Sequence, residues 1–234
     1  MVNKYKIKIF HDGPTIDEII NPINKLISGY TFNPSLFKKI GIKNYLEGCK
    51  KILKLTFPLN TSLEVIADNE PDMIKQALVI SSLGPNVSVK IPIVFTNGKS
   101  TKKVISYLIK KKIKLNITAI FCYEQILEIL PIISKSNCIL SIFIGRIYDC
   151  GLNADIIAKK ISNLVKKKTN CILLWASPRL SYDIIKAQKY YFDIITLNSD
   201  LIKKIKLFGT SLKKASQNTV ETFYLDAKSS RYKI

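Results

Sequence analysis

The sequence of 234 residues has few of the residues that mark metal sites or disulfide scaffolds. It contains one histidine, His11, and five widely spaced cysteines without a Cys-x-x-Cys pair, so we interpret the cysteines as reduced structural thiols and expect no metal site. No apolar run approaches the ~18 residues that a membrane span needs. The N-terminus alternates lysines with apolar residues, whereas a signal peptide has a continuous apolar core. These absences predict a cytoplasmic protein with no membrane association.

Acidic residues are also scarce, with 17 aspartates and glutamates against 37 lysines and arginines, a formal net charge of +20. A basic domain binds nucleic acids nonspecifically through their phosphates. Here the lysines are scattered as pairs and triples, several at the ends of predicted helices, where they complement the helix dipole. No aromatic interleaving, zinc-finger spacing or helix-turn-helix signature accompanies them. Nucleic-acid binding is therefore not expected to be the main function.

Short apolar runs alternate with amphipathic stretches along the chain, which is typical of a parallel sheet covered by helices. The predicted strands are Lys6 to Asp12, Gly29 to Asn33, Ser62 to Asp68, Val87 to Val94, Leu115 to Phe121, Cys138 to Gly145, Cys171 to Ser177 and Phe192 to Leu197. The predicted helices lie near residues 15–27, 35–55, 70–82, 99–112, 122–135, 153–168, 179–190 and 199–206. No linker rich in proline, glycine or serine divides the chain. The pattern predicts a single-domain α/β protein over residues 1–234, a closed (β/α)8 barrel with an additional C-terminal helix at about 210–229.

Lys90 is a lone cation in the apolar run Val87-Ser-Val-Lys-Ile-Pro-Ile-Val94. Because side chains alternate along a strand, Lys90 shares one face with Ser88 and Pro92. Burial disfavours the charged ammonium, and a neutral lysine amine can attack a carbonyl carbon. The position therefore favours Schiff-base chemistry over a lysine that merely extends to water at the barrel mouth.

Polar residues in the other predicted strands also keep to one side of their strand. In a barrel such residues point into the lumen or lie at the carboxyl ends, where active sites form. The groups are Lys8 with Asp12, Thr31 with Asn33, Ser62 with Glu64, Asn116 with Thr118, and Trp175 with Ser177 and Arg179. We expect them to converge on Lys90, with Trp175 filling the barrel, and we expect His11 to face outward. The lysine runs 110–112 and 166–168 precede strands and should lie at the opposite end, away from a substrate.

Seven segments stand out, one for each of the first seven strands. They are Asp12, Thr31-Phe-Asn-Pro-Ser35, Leu63-Glu-Val65, Val89-Lys-Ile-Pro92, Leu115-Asn-Ile-Thr-Ala-Ile-Phe121, Ser141-Ile-Phe-Ile-Gly-Arg-Ile147 and Trp175-Ala-Ser-Pro-Arg179. These segments resemble motifs of the transaldolase family. They follow the family's order from about residue 7 to residue 230. The resemblance implies a class I aldolase that moves a dihydroxyacetone unit between sugar phosphates without a metal or organic cofactor. It also implies a homo-oligomer, since compact members of the superfamily often form higher oligomers.

The resemblance implies a role for each matched residue. Lys90 would form the Schiff base, and Asp12 would accept the proton from the hydroxyl at carbon 4 of the ketose. Glu64, with Thr118 helping to hold a water, would move protons while the carbinolamine forms and breaks down. The substrate-binding residues implied in the same way are Thr31, Asn33, Asn116, Ser141, Phe143, Arg146, Ser177 and Arg179. Of these, Asn33, Asn116 and Ser141 would bind the dihydroxyacetone hydroxyls. Arg146, Ser177 and Arg179 would hold the terminal phosphate, because guanidinium forks match phosphate oxygens.

Two positions bear on the subtype that the resemblance implies. The related fructose 6-phosphate aldolases generally carry glutamine where this chain has Glu64 and tyrosine where it has Phe143, so both residues favour a transaldolase. An aldolase-type lyase, which would release free dihydroxyacetone, is the closest alternative. The chain departs from the family pattern at Ile142, where proline is usual, and at Pro178, where an aromatic residue is usual.

Simpler interpretations of the same residues stand beside these. Asp12 and Glu64 could be counterions that neutralise Lys90 in a structural network. Arg146 could pair with Asp149 at the end of its strand. A catalytically silent basic barrel that binds nucleic acid is the more distant functional alternative.

Overall fold

A closed barrel of eight parallel strands forms the centre of the computed structural model, which describes residues 6–230 and residue 232. The strands pair in chain order, and the last pairs with the first. They are β1 (Lys8–Asp12), β2 (Ile27–Thr31), β3 (Asn60–Glu64), β4 (Val87–Pro92), β5 (Leu115–Ile120), β6 (Ile139–Ile142), β7 (Ile172–Trp175) and β8 (Ile194–Leu197). The predicted α/β barrel is confirmed. The domain bounds of 1–234 stay a prediction and include residues 1–5, 231, 233 and 234, which lie outside the described residues.

Helices connect the strands on the outside of the barrel. They are α1 (Ile16–Ile20), α2 (Pro34–Lys39), α3 (Tyr45–Thr56), α4 (Glu70–Ser81), α5 (Lys102–Lys110), α6 (Tyr123–Ile133), α7 (Ile144–Asp149), α8 (Ala154–Lys168), α9 (Asp183–Lys189), α10 (Ser199–Lys204) and α11 (Leu212–Ser229). The last confirms the additional C-terminal helix, and none of its residues is buried. Within the described residues, no helix has the length and apolar composition to cross a membrane.

Local sequence signals explain two predicted helices that are wrong in extent. The helix expected over 15–27 ends at Ile20, because the following Asn21 precedes a proline and is thereby pushed out of helical geometry. The helix expected over 35–55 is two helices. Gly41 separates them in a left-handed conformation with φ +78°, and the Asn44 side chain then caps α3 by accepting a hydrogen bond from the Glu47 N–H.

The predicted strand Cys138 to Gly145 is wrong in its second half. Strand β6 ends at Ile142, and helix α7 begins at Ile144 after Phe143, whose backbone leaves strand geometry. Arg146 therefore lies on a helix that continues from the barrel mouth, and not at the end of a strand.

Apolar side chains form two layers, one between strands and helices and one inside the barrel. The inner cluster contains Phe10, Ile139, Leu174, Ala176 and Ile194. Because Leu174 faces inward, its neighbour Trp175 faces outward, where it stacks on Tyr190 and contacts Phe192 edge-on. The expectation that Trp175 fills the barrel is therefore wrong.

The outward orientation of His11 is confirmed. Its Nε2 lies 3.1 Å from the Ser199 hydroxyl at the start of α10. Burial lowers the pKa of His11 to about 4, against the opposing charge of Glu18, so the imidazole is neutral at pH 7. We assign it to packing.

The five cysteines are free thiols that differ in exposure. Cys49, Cys138 and Cys171 are buried, Cys122 is partly buried, and Cys150 is exposed. Burial raises the pKa of Cys49 to about 12 and that of Cys138 to about 11, and it also raises the pKa of Cys171. These three thiols are protonated at pH 7, as expected of structural cysteines.

Candidate active site

Glu64, Lys90 and Asn116 lie at one level of the barrel on three adjacent strands. The register of the sheet pairs Glu64 with Lys90 and Lys90 with Asn116. The Lys90 side chain is almost fully buried, and its Nζ lies 2.9 Å from Glu64 Oε2 and 3.3 Å from the Phe32 carbonyl oxygen, to which it donates. An amine is thus held inside the barrel with a proton acceptor in contact.

Asp12 is a second carboxylate beside Lys90. It ends β1 and accepts a hydrogen bond from Thr31 Oγ1 at 2.6 Å, and the Thr31 hydroxyl also contacts Thr196 Oγ1 at 2.6 Å. Burial raises the pKa of Asp12, and this outweighs the opposing effects of the Lys90 charge and the Thr31 hydrogen bond. A carboxylate with a raised pKa is a better proton acceptor, which suits a general base.

A chain of hydrogen bonds crosses the lumen beside these residues. Ser141 Oγ donates to Asn116 Oδ1 at 2.6 Å, and Asn116 Nδ2 donates to Ser62 Oγ at 3.1 Å. Thr118 is also buried, yet within the described part of the chain its hydroxyl has no hydrogen-bond partner. Buried hydroxyls are normally paired, so Thr118 Oγ1 is available to a water molecule or a substrate.

Asn33 lies just beyond the carboxyl end of β2, and Phe143 just beyond that of β6. The Asn33 Oδ1 accepts the Leu36 N–H at 2.9 Å and caps α2, which leaves its amide N–H groups for other contacts. Phe143 packs against the inner apolar cluster and lies 5.7 Å, between ring centroids, from Phe121.

Two arginines lie beyond the ends of β6 and β7. Arg179 donates from Nε to Asp149 Oδ1 at 3.0 Å and from Nη1 to Ser177 Oγ at 3.2 Å, and its Nη2 also contacts Asp149. Hydrogen bonds from Arg179, assisted by the charges of Arg179 and Arg146, lower the pKa of Asp149. The Arg146 guanidinium lies 5.7 Å from the Phe143 ring centroid. The partner of Asp149 is therefore Arg179, and the alternative pairing with Arg146 is wrong.

The two arginine-bearing segments are in direct backbone contact. A Cβ atom on Gly145 would lie 1.6 Å from the Ser177 carbonyl oxygen, so only glycine fits there. The buried Asp183 fixes the second segment, because its Oδ2 accepts the backbone N–H groups of Arg179 at 2.8 Å and Leu180 at 3.1 Å. The same Cβ would lie 3.4 Å from Arg179 Cγ, and the charges of both arginines act on Asp149, so the two side chains belong to one positively charged region.

A search against protein-family models matches the description "Transaldolase/Fructose-6-phosphate aldolase" over residues 9–234. The chain belongs to the transaldolase/fructose-6-phosphate aldolase family. A "Probable transaldolase" of Methanococcus maripaludis (strain C7) is 31% identical and aligns over 94% of this chain and 97% of its own. A protein of the same description from Bartonella henselae is 30% identical over 85% of this chain and 88% of its own. Another from Thermoplasma volcanium is 32% identical over 84% of this chain and 86% of its own.

Solved structures of other enzymes share the barrel. The thiamine phosphate pyrophosphorylase from Pyrococcus furiosus has a TM-score of 0.57 at 13% identity and covers 85% of this chain and 89% of its own. The N-acetylneuraminate lyase from Mycoplasma synoviae has a TM-score of 0.55 at 13% identity, and the match covers 96% of this chain and 83% of the lyase chain. At these identities the likeness shows the fold alone.

Proposed function

We propose that this chain is a transaldolase. It transfers a dihydroxyacetone unit from a ketose phosphate, sedoheptulose 7-phosphate or fructose 6-phosphate, to an aldose phosphate, glyceraldehyde 3-phosphate or erythrose 4-phosphate. This is chemistry of the nonoxidative pentose phosphate pathway in the cytoplasm. The observation that carries the proposal is the buried Lys90 amine in contact with Glu64 inside the barrel.

Lys90 reacts first, as the nucleophile. Glu64 takes the proton of the ammonium, and the neutral amine adds to the ketose carbonyl to give a carbinolamine. Glu64 then returns a proton so that water leaves and an iminium forms. A water molecule held by the Thr118 hydroxyl, which has no partner among the described residues, relays protons in this step.

Asp12 acts in the second step, which breaks the bond between carbons 3 and 4. The electrons of that bond form the carbon 2–carbon 3 double bond of an enamine, the π electrons of the iminium move to its nitrogen, and Asp12 accepts the proton of the hydroxyl at carbon 4. The aldose phosphate leaves as an aldehyde. The enamine then attacks the aldehyde of the acceptor, Asp12 returns the proton, and hydrolysis of the new iminium frees Lys90 and the product ketose.

The remaining site residues hold the substrate. Asn33, Asn116 and Ser141 bind hydroxyls of the dihydroxyacetone unit, and Phe143 forms an apolar wall. Arg146 and Arg179 with Ser177 bind the terminal phosphate, since guanidinium groups bind phosphate oxygens through two parallel hydrogen bonds.

Borohydride trapping tests this function. The protein is incubated with fructose 6-phosphate, reduced with borohydride, digested and analysed by mass spectrometry. We expect an added mass on the peptide that contains Lys90. Erythrose 4-phosphate is then supplied, and sedoheptulose 7-phosphate should form faster than free dihydroxyacetone. The reverse ratio would make the enzyme a lyase, and salt-sensitive DNA binding without any adduct would support the noncatalytic alternative.

The rate should fall as the pH is lowered through a pKa that lies above the ordinary aspartate value. The reason is that Asp12 acts in its ionised form and burial raises the pKa of its carboxyl. Replacing Asp12 by asparagine should lower kcat by about 10²–10⁴-fold, because an amide cannot accept the proton. The measurement is kcat/KM as a function of pH.

Thr31→Val is the matched variant, since it removes the hydrogen bond that lowers the pKa of Asp12 and nearly keeps the volume of the side chain. In the Thr31→Val variant, the acidic limb of the kcat/KM profile should move to higher pH. An unchanged limb in Thr31→Val, together with a fully active Asp12→Asn, would exclude Asp12 as the base.

Arg179→Ala should raise KM for fructose 6-phosphate by about 10–100-fold while kcat changes less, because two charge-assisted hydrogen bonds to phosphate are lost. Steady-state kinetics with unphosphorylated fructose give the control, since that reaction should be unaffected. Arg179→Lys keeps the charge and loses the planar fork, so an intermediate KM is expected. Equal losses with both sugars would contradict a phosphate contact.

The exposed helix α11 supports the proposed homo-oligomer. Val220, Phe223, Tyr224 and Leu225 are all exposed on this helix, and apolar clusters of this kind mark association surfaces. Light scattering should give a multiple of the 26.5 kDa chain mass. A Val220→Asp/Phe223→Asp variant should give a smaller assembly, and a wild-type mass of one chain would refute the proposal.

A further inference from the structure

The amino-terminal end of the barrel, opposite the catalytic lysine, contains a large open cavity. Its volume is about 1600 Å³, above the roughly 300–1,000 Å³ of most small-molecule sites. Lys8 at the start of β1, Lys114 just before β5 and Lys167 in the last turn of α8 all line it. Asp12 and Glu64 end their strands at the opposite side of the barrel, and none of the proposed catalytic residues lines this cavity, so it is a separate site.

Lysines dominate the charge of this cavity. Among the described residues that line it are five lysines, Lys6, Lys8, Lys114, Lys166 and Lys167, and one acid, Asp193, which gives a net charge of +4. Asp193 is already bound, since Lys166 Nζ lies 2.6 Å from both of its carboxylate oxygens. Lys114 donates to the Pro85 carbonyl, which is a neutral acceptor. The part of the chain that the structure describes provides no carboxylate within ion-pair distance of Lys6, Lys8, Lys114 or Lys167.

The floor of the cavity is polar on one side and apolar on the other. Asn60 donates to Ser88 Oγ at 2.8 Å, while its buried Oδ1 has no partner among the described groups. Such an acceptor suits a ligand hydroxyl or amino group. Phe10, Ile139 and Ile194 form the other side and suit a flat apolar ring.

We propose that this cavity binds a small organic polyphosphate of the nucleoside triphosphate class. The phosphates contact Lys8, Lys114 and Lys167 at the rim, and the sugar or base reaches Asn60 and Phe10 at the floor. Lysine ammonium groups bind phosphate as point charges, so several lysines around one cavity favour a ligand with several adjacent phosphates. The concave shape favours a small molecule over a nucleic acid.

Isothermal titration of the full chain with ATP at about 0.15 M salt tests the proposal. Lys114→Gln/Lys167→Gln should weaken binding by tenfold or more. Lys51→Gln/Lys54→Gln removes the same charge from the exposed side of α3 and should change affinity less than twofold. Equal effects of the two double variants, or no binding by the wild type, would overturn the site.

Two competition experiments locate the ligand and define its class. Fructose 6-phosphate should leave ATP affinity unchanged, whereas competition would put ATP at the catalytic end of the barrel and refute the proposal. Inorganic tripolyphosphate should bind at least tenfold more weakly than ATP, because it cannot contact the floor. If tripolyphosphate and ATP bind with equal affinity, the sugar and base do not contact the cavity, and the proposal of an organic ligand is overturned. None of these results depends on transaldolase activity.

Discussion

The Lys90→Met variant should lose transaldolase activity by ~10⁴-fold or more and should give no borohydride-trapped adduct. Methionine nearly keeps the volume of lysine and has no amine, so the covalent step cannot take place. Removing the cation also leaves the Glu64 carboxylate without its partner at 2.9 Å inside the barrel. Coupled assays of sedoheptulose 7-phosphate formation, together with mass spectrometry of the reduced complex, measure both losses.

Two further variants separate covalent chemistry from charge and from folding. Lys90→Arg keeps a positive charge beside Glu64 and cannot form an imine, so it should be as inactive as Lys90→Met. Lys103→Met makes the same substitution on the exposed side of α5 and should retain wild-type activity. An active Lys90→Arg variant, or an adduct that maps to another lysine, would rule out the Schiff base on Lys90.

The Gly145→Ala variant should lower the free energy of unfolding by about 2–4 kcal/mol and weaken phosphate binding. A methyl group at Gly145 would lie 1.6 Å from the Ser177 carbonyl oxygen, and both atoms belong to backbone segments that cannot rotate away. The segments must separate, which moves Arg146 away from Arg179. Alanine stabilises a helix more than glycine does, so helix propensity cannot explain the lower free energy of unfolding. The clash explains it. Urea denaturation and KM for fructose 6-phosphate give the two readouts.

Gly98→Ala is the control for Gly145→Ala. A Cβ atom added at Gly98 would meet no atom of the described residues within 4 Å, and φ there is +80°, so alanine should cost about 1 kcal/mol from backbone strain alone and leave KM unchanged. If Gly145→Ala costs no more stability than Gly98→Ala and leaves KM unchanged, the contact between α7 and the Ser177 segment is not needed for the site.

The barrel itself followed from the sequence because apolar runs and amphipathic stretches alternate eight times. Element ends were harder to predict. The ends of α1 and α2 had visible signals, a proline at 22 and a glycine at 41. The end of β6 had none, because Ile142, Phe143 and Ile144 are equally apolar and only packing decides where the strand gives way to a helix.

Parity along each strand brought Glu64, Lys90 and Asn116 together correctly, since those strands are regular. The same alternation gave the wrong face for Trp175, because its face was inferred from that of Ser177. Ser177 has a left-handed backbone with φ +57°, so side chains do not alternate regularly between these two residues. The hydroxyl of Thr196 contacts that of Thr31. The sequence contained a signal for this site residue, because Thr196 is the one polar residue in the apolar segment Ile194–Leu197.

Contacts between distant segments had no signal in the sequence. The bond of Asp149 to Arg179 joins residues 30 positions apart, and Asp183 fixes the Arg179 segment by accepting backbone N–H groups. Such partners depend on how α7 and the segment after β7 meet in space, which periodicity does not describe.

The uneven exposure of the thiols makes this barrel convenient for spectroscopy. Cys150 is the exposed sulfur and comes directly after Asp149, the carboxylate bound to Arg179. Alkylating dyes react with thiolates at accessible sites, so a maleimide fluorophore at neutral pH should attach mainly to Cys150 and leave Cys49, Cys138 and Cys171 unmodified. A dye in that place would report sugar phosphate arriving at the barrel mouth without any engineered residue.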